Sequence, residues 1–108
     1  MSALRALVAV LALGALLAVP AAALELEIDR ASDRSAEFAQ RTCDRDRYCV
    51  RQGVLNCRRH SPRVALCRIF NERRTPVQGS YRCERLIRLS LDPRSRRVPV
   101  TGLGRWHC

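Results

Sequence analysis

The sequence predicts an α+β fold: a small disulfide-rich domain with one N-terminal helix followed by an antiparallel meander of about four strands. Three observations predict it. An early stretch free of Gly and Pro spaces its apolar residues by three and four, segments of period two with turn signals between them follow, and six cysteines are spread across both parts.

Residues 1–23 read as a secretory signal peptide. Arg5 supplies the leading charge, residues 6–19 carry no charged side chain, Pro20 ends the run, and Ala21, Ala22 and Ala23 offer the small residues that signal peptidase requires. Cleavage is expected near Ala23, sending the chain to the periplasm or out of the cell. An uncleaved anchor fits less well: the apolar run barely reaches the roughly 20 residues needed to cross a bilayer, and Pro20 sits where an anchor prefers Leu. Residues 24–31 are expected to be an exposed lead-in, and residues 32–108 a single disulfide-stapled basic domain.

The helix is expected to start at Ser32 or Asp33, either of which can cap it, and to run to about Arg47. Ala36, Ala39 and Cys43 form its expected apolar stripe. Beyond Gly53 the period changes. Residues 54–59 and 63–70 flank His60-Ser61-Pro62 and read as a hairpin, and residues 71–80, holding Pro76 and Gly79, read as a loop. In residues 81–91, Tyr81, Cys83, Ile87, Leu89 and Leu91 share one face, interrupted by Arg85. Asp92-Pro93-Arg94-Ser95 suits a type I turn. Val98 and Val100 then form a short return strand, which Pro99 confines to an edge.

All six cysteines, Cys43, Cys49, Cys57, Cys67, Cys83 and Cys108, follow the leader. An even number in a short exported chain reads as a disulfide framework. A domain this small, with only five aromatic residues (Phe38, Tyr48, Phe70, Tyr81 and Trp106), tends to need such staples. A bridge at Cys108 would pin the segment that carries Trp106. Three bridges can be drawn in 15 ways, and spacing selects none of them. No two cysteines stand in a C-x-x-C pair, so neither a zinc site nor a thioredoxin-like centre is expected, and no cofactor or small-molecule substrate is indicated.

The strongest functional signal is charge. The chain has 20 basic residues, all Arg, against 10 acids. Residues 24–46 hold seven acids and four Arg, whereas residues 47–108 hold fifteen Arg and three acids, Glu72, Glu84 and Asp92. If the strands run as read, Arg58, Arg68, Arg82, Arg88 and Arg97 stand opposite the core-facing Cys57, Cys67, Cys83, Ile87 and Val98. These five are the expected polyanion-binding face, because guanidinium groups grip phosphate and carboxylate in a two-pronged way. The expected function is an exported, non-enzymatic binding or accessory module facing an anionic partner: envelope lipid, lipopolysaccharide phosphate, nucleic acid or an acidic protein surface. The bland alternative is a solvated basic face that serves solubility.

Other classes compete with this reading. An inhibitor or accessory subunit docking on an exported enzyme would leave little trace in composition. A phosphodiesterase-type nuclease would use His60 and His107 as base and acid. A cationic toxin is disfavoured, since the helix candidate carries acids as well as Arg. Trp106 beside Arg105 is either a stacking platform or a buried anchor. Gly102-Leu103-Gly104 is too short to cradle phosphate and precedes no helix.

Overall fold

A computed structural model describes residues 24–108. The expected signal peptide, residues 1–23, lies outside the described residues. One helix, α1 (Ile28–Asp44), precedes four strands: β1 (Cys49–Ser61), β2 (Val64–Thr75), β3 (Gly79–Ser90) and β4 (Val100–His107). The strands form one antiparallel meander in the order β1-β2-β3-β4. The expected α+β class and its order of elements hold.

α1 begins at Ile28, four residues before the predicted cap. Glu27 occupies the cap position without a side-chain cap bond, so something else must fix the entry of the chain. Leu26 does so. It is 1% exposed and its N–H donates to the Pro62 carbonyl at 2.8 Å, correcting the expectation of an exposed lead-in. Leu26 and Ala31, on either side of the cap, lie in one buried cluster, which is the arrangement of a hydrophobic staple.

The helix buries Ala31, Ser35 and Ala39, a row spaced by four, while Ala36 is exposed. The predicted stripe therefore points about a quarter-turn away from the real one. Ser35 concealed it: its hydroxyl donates to the Ala31 carbonyl at 2.8 Å, so this polar residue is satisfied within the helix and sits in the core. Small side chains along this row bring the helix close to the sheet. Ala65, Cys67 and Ile69 of β2 and Ile87 and Leu89 of β3 face it, none more than 1% exposed. Each large aliphatic side chain buried there contributes about 2 kcal/mol.

The strands run longer than predicted. β1 starts at Cys49 and passes through Gly53 without a break, because Gly53 faces Phe70 across the ladder and a Cβ there would lie 2.8 Å from Phe70 Cε1. The expected loop over residues 71–80 is mostly ladder. Asn71 pairs with Cys83 and Thr75 with Gly79, leaving three residues, 76–78, to turn the chain. Gly79 makes so tight a return possible with φ 72°. After Leu91, the turn is one residue wider than type I. The Arg96 N–H donates to the Asp92 carbonyl, the Asp92 carboxylate accepts the Arg94 N–H at 2.9 Å, and Arg96 takes a φ of 58°. Val98 is buried ahead of β4 rather than within it, and the return strand extends to His107.

The disulfides join neighbours in sequence: Cys43–Cys49, Cys57–Cys67 and Cys83–Cys108. The first closes the turn between α1 and β1. The second crosses directly opposite positions of β1 and β2, and the third ties the segment after β4 to β3. Trp106 packs against the core cluster beside this third bridge, as an anchor.

Candidate functional site

Register assigns every strand side chain to a face, since directly paired residues point the same way. Cys67 pairs with Cys57 and Ile87, and these define the inner face under α1. One residue along, Leu66 pairs with Arg58 and Arg88, and these define the outer face. Arg68 and Arg82 share the outer face by the same alternation. Four of the five expected residues are thus brought to one side.

Arg97 is not among them. It lies in the segment between β3 and β4 and lines an open cavity of about 850 Å³ beside Arg30 and Arg34 of the helix. The expectation placed it on a strand beginning before Val98, but the wide turn at Asp92 delays β4 to Val100 and directs Arg97 toward the helix.

Arg82 shares the outer face but is engaged. Its Nη2 donates to Glu72 Oε1 at 3.1 Å, and its guanidinium carbon stands 4.2 Å from the Phe70 ring centroid. Arg51 covers the same ring from 5.9 Å and the same carboxylate from 3.9 Å. Phe70 is 7% exposed on a face that no second layer covers among the described residues, and these two arginines, with Gly53 beneath the ring, cover it.

Arg58, Arg68 and Arg88 differ. All three are exposed, and among the described residues none has an acidic partner. Arg58 and Arg88 flank Leu66 from opposite sides, about 10 Å apart across two strand spacings. Arg68 is the diagonal neighbour of both, with Cβ atoms about 7 Å away. Asn56, Leu86 and Leu103 complete the row through Arg68. Three guanidinium groups thus surround an apolar centre. One carboxylate, Glu84, stands diagonally from Arg68 and lines the same pocket without pairing with it, so positive charge stays in excess, a geometry that suits a multivalent anion.

At the other end of the sheet a fourth arginine is locked in place. Arg73 Nε donates to Asp46 Oδ2 at 2.7 Å, Nη2 to Oδ1 at 3.2 Å, and Nη1 to the Tyr81 hydroxyl at 2.6 Å. Hydrogen bonds from Arg73 hold the Asp46 carboxyl below its ordinary value, and the same bonds raise the guanidinium of Arg73. The trio fastens the turn after α1 to β2 and β3. It is structural, and it leaves Arg73 no free edge for a ligand.

The two histidines do not meet. His60 lies on β1 and His107 on β4, the opposite edges of the sheet. His107 pairs with Glu84, which pairs with Phe70 and so aligns with Gly53, seven residues along β1 from His60. The separation is about 14 Å across the sheet and about 23 Å along it. One phosphodiester cannot bridge that distance, so the pair has no acid–base geometry. Gly102 and Gly104 lie within β4.

A second basic surface was not anticipated. Arg30, Arg34, Arg41 and Arg45 recur at helical spacings of four, seven and four, so they form one flank of α1. A second cleft of about 240 Å³ lies on the same flank, shares Arg34 with the cavity beside Arg97 and includes Phe38 and Val100. The spacing was readable in the sequence. Counting acids against arginines over the helix, without asking which flank each occupies, hid it.

No protein-family model matches the chain, and no curated protein or solved structure matches it. The reading of function therefore rests on the residues and geometry above. Among the described residues no helix is long and apolar enough to cross a membrane. Three disulfides with no free cysteine suit an oxidising environment.

Proposed function

We propose that this chain is an exported, non-enzymatic binding module that presents Arg58, Arg68 and Arg88 to a phosphate-bearing polyanion. The observation that supports it is that, among the described residues, none of these three groups is ion-paired and they outnumber the one nearby acid, Glu84, on a face where Arg82 and Arg51 are both engaged by Glu72. Three like charges grouped around Leu66 repel one another, and a multivalent anion relieves that repulsion. The apolar run with its Ala21–Ala23 ending supports export, and the disulfides support an oxidising destination such as the periplasm or the medium.

The reading is tested by measuring affinity for duplex DNA, heparin and anionic vesicles over a salt series. Phosphate contacts release counterions, so log K falls linearly with log salt. Replacing all three residues (Arg58→Gln, Arg68→Gln, Arg88→Gln) is expected to reduce the slope on DNA by about one unit per residue. Arg82→Gln is expected to leave the slope in place. A triple variant with the parent's slope would overturn the assignment of the face.

A further inference from the structure

Viewed along its axis, α1 is divided. At about 100° per residue, Arg30, Arg34, Arg41 and Arg45 occupy an arc of about 60°, and Asp29, Asp33, Glu37 and Asp44 the adjoining arc of about 80°. The basic flank overlooks the segment that leads into β4: Arg34 Nε donates to the Val98 carbonyl at 3.2 Å, and Arg30 donates to the Arg96 carbonyl. Arg97 stands across the groove from Arg30 and Arg34, and Val98, Pro99, Val100 and Phe38 contribute apolar surface. Five guanidinium groups thus line the groove against two carboxylates, Glu37 and Asp92. Glu37 is bonded to Arg34, and among the described residues Arg41, Arg45 and Arg97 have no acidic partner.

We propose that this groove holds an extended acidic peptide segment of a partner protein, laid along the open edge of β4. The site is separate from the outer face and does not depend on it.

Spacing, charge and backbone each favour this occupant. Along the helix axis, Arg30 to Arg34 is about 6 Å, Arg34 to Arg41 about 10 Å and Arg41 to Arg45 about 6 Å. An extended chain advances about 3.3 Å per residue and alternates its side chains, so carboxylates at relative positions 1, 3, 7 and 9 of a segment about nine residues long share one side and come within reach of the four flexible guanidiniums in turn. Glu37 falls in the long central interval, where the segment needs an uncharged residue above Phe38. A polyphosphate charged at every step would be repelled there. β4 ends the sheet and has one unpaired edge, and only a peptide backbone can continue the hydrogen-bond ladder from it.

The test uses the oxidised protein and three probes at physiological salt: a fluorescent peptide about nine residues long with glutamates in the spaced pattern and valines between, the same composition with its glutamates consecutive, and inorganic polyphosphate. The spaced peptide is expected to bind parent protein most tightly and to shift the amide resonances of Val100, Thr101 and Gly102. Arg41→Gln with Arg45→Gln, both exposed positions, is expected to weaken it about tenfold. The triple outer-face variant is expected to bind it unchanged, which separates failure of this site from failure of the outer face. Equal affinity for the consecutive peptide or for polyphosphate, indifference to the Arg41 and Arg45 replacements, or no binding of the spaced peptide would each overturn the proposal.

Discussion

The two faces of the sheet solve the same problem with different materials. On the inner face, apolar β2 and β3 side chains meet a row of small helix residues, and exposure falls to zero at Cys67, Ile69, Ile87 and Leu89. On the outer face no element covers the strands among the described residues, yet Phe70 is nearly as buried. Arg82 and Arg51 lie over its ring, so their stems and guanidinium planes stand in for a missing layer. Outer-face arginines are therefore not equivalent. Those beside Glu72 and Phe70 belong to the fold, while those around Leu66 make no ion pair among the described residues.

That contrast can be broken at its strong end first. Ile87→Ala removes a fully buried side chain from the inner face, with an expected loss of about 3 kcal/mol in denaturant unfolding. A loss below about 1 kcal/mol would show that the inner face is not the main source of cohesion.

The Asp46–Arg73 lock comes next. Asp46→Asn is expected to cost about 1 kcal/mol at neutral pH, because the pair is bidentate and each side chain is less than a third exposed. Since folding lowers the Asp46 pKa, its contribution is fully present above the ordinary carboxylate value near 4 and disappears as pH falls through the lower folded value. Stability curves of parent and variant should therefore converge on the acid side of pH 4. Curves that stay parallel down to pH 2 would deny the lock its charge.

The smallest effect sharpens the comparison most. Arg82→Ala uncovers Phe70 and frees Glu72, and is expected to cost about 1 kcal/mol. Arg68→Gln, on the same face, should change stability by less than about 0.5 kcal/mol in either direction. Equal effects from the two would erase the division between structural and available arginines.

Most of the architecture was legible because its signals are local. Alternation in residues 81–91 identified the inner face of β3, including the interruption at Arg85, whose guanidinium lies over Gly102 where a Cβ would lie 2.2 Å from Nη2. The boundaries were less legible, for reasons that are not local. Gly53 and Pro76 read as breaks, but one makes room for a ring on the neighbouring strand and the other sits in a turn of three residues. Leu26 looked exposed because its anchor lies far along the chain, at the Pro62 carbonyl in the turn between β1 and β2. For the outer face, alternation brought Arg58, Arg68, Arg82 and Arg88 together correctly. It was blind to Glu72, the acid that distinguishes Arg82 from the other three, because that pairing depends on register rather than on composition.

The order of the disulfides has one more consequence. Cys43 closes with Cys49, Cys57 with Cys67 and Cys83 with Cys108, so no covalent loop encloses or crosses another. A polypeptide oxidised as it emerges, N-terminus leading, finds each thiol's correct mate in the next one to appear. Pairing in order of arrival yields the native topology, and an oxidant alone suffices where an interleaved pattern would call for a shuffling catalyst as well.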